Sequence, residues 1–230
     1  VTNIGPKPNL MDESPESCRR IKVQQPILTN ADLAKIRGIS DPHFKSKTLR
    51  MLFRVAEGPD GLGVAVDAMC QAASQAIKEG YKFLILSDRG VDEDWAPIPS
   101  VLGISAVHHH LVRECTRTEV GLILETGEPR DVHQFACLIG YGAGTINPYL
   151  VFETLVDMER DNYLPEGLDA QTAESKFIKA INKGLLKIFS KMGISTVQSY
   201  CGAQIFEAIG LNHELIDRYF TGTPSRLEGI

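Results

Sequence analysis

Two short apolar runs, each closed by a polar end, stand out along the chain. The first is Lys82-Phe83-Leu84-Ile85-Leu86-Ser87, ending in Asp88-Arg89-Gly90. The second is Val120-Gly121-Leu122-Ile123-Leu124, ending in Glu125-Thr126. Neither alternates apolar with polar residues, the mark of strands covered on both faces. Between them lie a proline-marked loop, Trp95-Ala96-Pro97-Ile98-Pro99-Ser100, and a helical pattern over 101–115. Buried strands joined by a helix predict a parallel strand–helix–strand unit. Polar residues just past both strands stand where open α/β sheets and barrels build their sites.

The pattern extends in both directions. Residues 48–55 predict a strand, followed by the loop Gly58-Pro59-Asp60-Gly61 and a helix over 62–78. Val66, Met69, Cys70, Ala73 and Ile77 give that helix one apolar face, and Gly80 ends it. After Thr126, a turn at Gly127-Glu128-Pro129-Arg130 leads to a helix capped by Asp131 and closed by Gly142-Ala143-Gly144. Residues 145–147 predict a short strand stopped by Pro148, 149–161 a helix and 162–167 a loop. A long helix capped by Asp169 or Thr172 then runs to Met192-Gly193, before a strand over 194–197 and a helix over 203–209. Residues 1–47 are punctuated by Gly5, Pro6, Pro8 and Pro26, which predicts an irregular arm wrapping the surface. Within it, Asp12-Glu13-Ser14-Pro15-Glu16 reads as a helix start with Pro15 at the first position. Thr29 or Asn30 caps a helix over 31–37 that stops at Gly38. The organisation is an arm over 1–47 and an α/β domain of parallel strand–helix repeats over 48–230.

A chain of 230 residues makes one large α/β domain or two small ones. The net charge of −5, with both signs interspersed, argues against nonspecific binding to nucleic acid. No apolar run approaches a membrane span, and no signal peptide is visible. The five cysteines, Cys18, Cys70, Cys115, Cys137 and Cys201, are far apart and read as buried free thiols of a reducing compartment, with no Cys-x-x-Cys motif. The chain runs from Val1 to Ile230 without an initiator Met, which predicts a piece of something longer.

Candidate chemistry is sparse. Gly140-Tyr141-Gly142-Ala143-Gly144 looks like a nucleotide loop, but it closes a helix instead of following a strand and opening one, and reads as a glycine-rich helix terminus. Gly58-Pro59-Asp60-Gly61-Leu62-Gly63 has better context for holding an anion, yet lacks a dinucleotide fingerprint, so a turn with Asp60 as cap is the stronger reading. His108-His109-His110 invites a metal, but consecutive helical residues point about 100° apart and their rings cannot converge on one ion. His110 with Glu114, and His133 with Cys137, have ligand spacing; each is a lone pair and reads as structural. Asp88, Glu125 and the nearby Asp92 or Asp94 could do acid–base work. With no matched nucleophile, salt bridges to Arg89 and Arg130 are the plainer assignment.

Taken together, several of these runs resemble the central domain of glutamate synthase. They are Ser87-Asp88-Arg89, Ala96-Pro97-Ile98-Pro99-Ser100, Ser105-Ala106-Val107-His108-His109-His110, Glu125-Thr126-Gly127-Glu128, Asp131-Val132-His133, Gly140-Tyr141-Gly142-Ala143 and Asn147-Pro148-Tyr149. Pro26-Ile27-Leu28-Thr29-Asn30, Lys191-Met192-Gly193-Ile194-Ser195-Thr196, Gln198-Ser199-Tyr200 and Gly202-Ala203-Gln204-Ile205-Phe206-Glu207-Ala208 continue the likeness over nearly the whole chain. The resemblance implies an incomplete, TIM-barrel-like α/β sheet, reduced from a flavin barrel. It implies a cytoplasmic parent enzyme, or one of the plastid stroma in plants, that makes glutamate from glutamine and 2-oxoglutarate. An amidotransferase domain with an amino-terminal cysteine nucleophile releases ammonia in that family. A flavin domain with FMN and an iron–sulfur cluster reduces the imino intermediate. The central domain lies between them and helps shape the ammonia passage.

Here the first residue is Val1, no cysteine cluster is present, and the chain stops at Thr223-Pro224-Ser225-Arg226-Leu227-Glu228-Gly229-Ile230, where the family runs on toward the flavin domain. No catalytic, cofactor or metal residue transfers. The expectation is a non-catalytic connector whose partners are the amidotransferase and FMN domains of its parent chain, with FMN and the iron–sulfur cluster outside these residues. The candidate interdomain rim is Asp88, Arg89, Glu125, Thr126, Asn147, Gln198 and Ser199, each placed after a predicted parallel strand. The rival expectation is an independent α/β enzyme, or a regulatory domain, that binds a small anionic metabolite.

Overall fold

The computed structural model describes residues 1–7, 9, 11 and 14–229. Pro8, Asp12 and Glu13, part of the arm's expected punctuation and helix start, lie outside them. In chain order the strands are β1 (Thr2–Ile4), β2 (Ile21–Val23), β3 (Ser46–Arg50), β4 (Leu52–Arg54), β5 (Phe83–Ser87), β6 (Trp95–Pro97), β7 (Gly121–Glu125), β8 (Thr145–Asn147), β9 (Ala208–Ile209) and β10 (Ser225–Leu227). The α-helices are α1 (Asn30–Arg37), α2 (Gly58–Lys78), α3 (Ser100–Arg113), α4 (Val132–Gly140), α5 (Tyr149–Arg160), α6 (Ala170–Lys191), α7 (Val197–Tyr200) and α8 (His213–Tyr219).

The centre is a parallel four-stranded sheet in the order β3-β5-β7-β8. Strand order follows chain order, so right-handed crossovers set successive helices on one face, the topology of a barrel segment. The buried residues divide accordingly. Leu84 and Leu86 of β5 and Leu122 and Leu124 of β7 join Val66, Met69, Ile104, Val107, Phe135 and Leu138 from α2, α3 and α4. Phe83, Ile85 and Ile123 face the other way, toward Ile4, Leu28, Leu33 and Ile36 of the arm. Both faces are therefore covered, and β5 and β7 are buried at every position, as their unbroken apolar runs predict.

The arm covers the face of the sheet opposite α2, α3 and α4. β1 and β2 pair antiparallel. Ile27 bridges Ile146, and the Leu28 N–H donates to the Ile146 carbonyl at 2.9 Å, which protects the free edge of β8. Thr29 caps α1 in a reciprocal box with Asp32, and Gly38 ends it. Asp131 with Gln134 and Asp169 with Thr172 open α4 and α6 in the way the sequence predicts.

Other expectations need correction. The strand over 48–55 is two strands that part at Met51: the Met51 N–H donates to Ser87 in the parallel sheet, while its carbonyl accepts from Ile98, and β4 turns away to pair antiparallel with β6. The loop at 58–61 is already helical, because proline suits a first helical turn, and Asp60 lies inside that turn instead of capping it. No strand forms over 194–197: the Thr196 side chain accepts from the Ser199 N–H and opens the short α7. The helix over 203–209 is absent; Gly202 (φ 76°) and Gln204 (φ 54°) are left-handed, and the segment pairs as β9 with β10. The cysteines are all free, but Cys18 and Cys115 are exposed and only Cys70 is fully buried. No helix among the described residues is long and apolar enough to cross a membrane.

Candidate functional site

Register brings five of the seven candidate rim residues together. Ser87 lies opposite Glu125, and Glu125 opposite Asn147, so all three end their strands at one level on the arm-facing side. Asp88 and Thr126 follow directly, and Arg89 leans back over the group. Gln198 and Ser199 do not belong to it. With no strand before them they lie in α7, and Gln198 donates to Thr2 Oγ1 at 3.0 Å beside the amino-terminal ends of the strands.

Glu125 is 2% exposed and carries a charge that the fold neutralises internally. Arg37, the last residue of α1, grips both its carboxylate oxygens. Arg89 Nε donates to Oε1 at 2.9 Å and the Ser87 hydroxyl to Oε2 at 2.5 Å. Burial alone raises the Glu125 pKa. The hydrogen bonds and charge of Arg37, with Ser87 and Arg89, outweigh that and hold it below the usual glutamate value. Arg89 continues outward to Glu153 at 2.8 Å and stacks on the Tyr149 ring at 3.9 Å. The plainer reading of these carboxylates holds for Arg89; Arg37 fills the place given to Arg130.

Asp88, equally buried, heads a second network. The Thr126 hydroxyl donates to Oδ2 at 2.5 Å and the Gly127 N–H at 3.1 Å. Thr126 Oγ1 in turn lies 2.5 Å from Ser100 Oγ and accepts from the Glu128 N–H. The Glu128 carboxylate accepts from the Ser100 N–H, capping α3, whose own N-cap residue is Pro99 and has no side-chain acceptor. Burial pushes the Asp88 pKa up, opposed by the bonds from Thr126, Tyr149 and Gly127. Asn147 Nδ2 donates to the Leu28 carbonyl and to Asn30 Oδ1, tying β8 to the start of α1. Asp92 only closes its own loop, accepting from the Asp94 and Trp95 N–H groups.

Chemically, this constellation is a lock. Each Glu125 oxygen has a charged donor, and Asp88 is committed to the loop that holds it. The rim residues named from sequence are therefore mostly interior: Asp88, Glu125, Thr126 and Asn147 are each at most 2% exposed. Arg37, Ser100 and Tyr149 were not among the candidate site residues. Arg37 looked like nothing more than a basic helix end, and its partner lies 88 residues away.

The three histidines diverge. His108 accepts from Arg117 Nε at 3.0 Å, His109 packs edge-on against His108, and His110 meets Ser74 at 2.8 Å. Burial, then Arg117, push the His108 pKa down to about 3. His133 packs edge-on against Phe206. The loop at 140–144 closes α4, and Gly142 (φ 124°) is needed because a Cβ there would stand 2.7 Å from the His108 ring. Among the described residues no three His, Cys, Asp or Glu side chains converge as metal ligands, so this donor set does not fit an iron–sulfur cluster.

Comparison with known proteins shows the family. The family described as the glutamate synthase central domain matches residues 1–212. The chain is 44% identical over its full length to the glutamate synthase [NADPH] large chain of Bacillus subtilis, covering 15% of it. It is 42% identical over 99% of its length to glutamate synthase [NADH] of Schizosaccharomyces pombe, covering 11% of that protein. It is 38% identical, again over 99%, to the chloroplastic ferredoxin-dependent glutamate synthase of Oryza sativa, covering 15%. The chain thus spans a small part of the curated relatives it matches, and it belongs to the glutamate synthase central domain family.

Proposed function

We propose that this chain is the connector of a glutamate synthase, a scaffold without chemistry of its own. The parent makes glutamate from glutamine and 2-oxoglutarate. Its amidotransferase and FMN domains, with FMN and the iron–sulfur cluster, lie outside these residues. The observation that carries the reading is the fate of the strand-end carboxylates. Where α/β proteins expose catalytic groups, Glu125 and Asp88 are consumed by the fold's own donors. The arm over 1–47 serves the α/β body over 48–230 as a plug, covering a face that a full barrel would close around. The outer members of the network, Arg89 and Glu153, present the contact to the neighbouring domains and order the loops between them. Coupling of two distant sites requires a shared element that both bias, and this network is that element.

A thermal-shift screen of the chain against FMN, glutamine, 2-oxoglutarate and nucleotides tests the scaffold role, because a specific ligand raises apparent stability. No shift that depends on Asp88 or Arg89 is expected from any of them. A saturable shift with any of them, abolished by changes at Asp88 or Arg89, would establish a small-molecule site at the strand ends instead.

A further inference from the structure

At the opposite end of the sheet, beneath the starts of β7 and β8, lies a cavity of about 50 Å³. At about 10–15 Å³ per water-sized group, it has room for about three to five such groups. Lys7, Arg20 and Arg117 line it, and among the described residues no carboxylate does. The acceptors that the two arginines use are all neutral. Arg117 donates to His108 Nδ1 and to the carbonyls of Val120 and Gly142 at 3.0, 2.9 and 3.1 Å. Arg20 donates to the Asn3 carbonyl at 3.1 Å, and its buried Nε has no partner. A guanidinium carries five N–H donors, so both retain donors to spare. Cationic groups taken from water without a counter-charge are costly, and an unpaired buried donor adds to the cost. Burial is what pushes Arg117 below the usual arginine range.

We propose that this cavity binds a small oxyanion, a phosphate or carboxylate group, clamped by Arg20 and Arg117 with Lys7 at its side. Planar guanidinium forks suit such groups. The pocket joins the arm to the sheet. The Lys7 N–H donates to the Thr118 carbonyl, and Gly121 lies so close to the arm that a Cβ there would stand 2.6 Å from the Gly5 nitrogen. An anion held here fastens the arm to the starts of the strands. The site is remote from Glu125 and independent of the connector role.

The test is thermal unfolding of the 230-residue chain titrated separately with phosphate and with acetate, against chloride at equal ionic strength. At about 100 times its Kd a specific ligand shifts the Tm of a protein this size by about 5–10 °C. Phosphate alone responding identifies a phosphate site, and acetate alone a carboxylate site. Arg20→Gln, on the partly exposed side, keeps the fold and abolishes the shift; Lys7→Gln weakens it. No oxyanion-specific shift in the parent chain, or a shift that survives Arg20→Gln undiminished, overturns the proposal.

Discussion

Replacing Glu125 with Ala removes the carboxylate on which Arg37, Arg89 and Ser87 meet at the strand ends. Breaking a buried ion pair from one side costs about 3–5 kcal/mol when the remaining charge stays buried. Here the two arginine side chains are 35% and 39% exposed, so both can turn partly to water. The Ser87 hydroxyl, 5% exposed, cannot, and an orphaned buried group costs about 1–3 kcal/mol. The expected loss is therefore about 2–3 kcal/mol, roughly 5–10 °C in Tm for a chain of this size. Changing an exposed strand-end residue would instead cost about 0.5 kcal/mol or less. Urea unfolding gives the midpoint. A double-mutant cycle with Arg37→Met assigns the coupling, expected at about 0.5–3 kcal/mol. The sign with pH is fixed as well. The folded pKa lies below the unfolded value of 4.5, so the contribution is full above that value and disappears as pH falls through the folded pKa. The deficit of Glu125→Ala must shrink in acid. A midpoint unchanged at pH 7, or a deficit that grows in acid, refutes the lock.

Further outcomes follow from the same geometry. His108, with a folded pKa of about 3 against 6.5 unfolded, stays neutral while the unfolded chain takes up its proton, so its contribution falls as pH drops from 6.5 toward 3. At about 1.4 kcal/mol per unit the chain loses about 2 kcal/mol by pH 5, and His108→Gln flattens that part of the urea-midpoint profile. Thr126→Val strips Asp88 of a donor and Ser100 and Glu128 of an acceptor, and costs about 2–4 kcal/mol by the same assay. Gly121→Ala forces backbone against backbone at Gly5, and limited proteolysis should find the arm released. Protein purified without cofactor stripping should show no stoichiometric flavin or iron–sulfur band in its visible spectrum.

The parallel core was legible because its physics is local. Apolar runs without alternation mark β5 and β7 as covered on both faces, and side-chain caps at Thr29, Asp131 and Asp169 mark helix starts. What misled was also local. Ile194-Ser195-Thr196-Val197 has the β-branched composition of a strand, yet Thr196 spends its hydroxyl on a helix cap and the segment finds no partner. The error carried Gln198 and Ser199 to the wrong end of the sheet. The meaning of the strand ends lay beyond any local pattern. Glu125 followed by Thr126 looks the same whether it faces solvent or two arginines, one of them 88 residues away in the arm. The apolar positions Ile4, Leu28, Leu33 and Ile36 among the arm's prolines were the available signal that the arm enters the core.

The connector role is tested most directly in a full glutamate synthase carrying this domain, through the ratio of glutamine hydrolysed to glutamate formed. Glu153→Gln is the informative change, because it cuts the outward limb from Arg89 and leaves both Arg37 and Arg89 on Glu125. Glutamine hydrolysis should outrun glutamate formation in this variant, with the unfolding free energy of the chain in urea lowered by no more than about 1 kcal/mol, as for a largely exposed pair. A ratio identical to that of the parent enzyme would contradict it, leaving the strand-end network a device of folding alone.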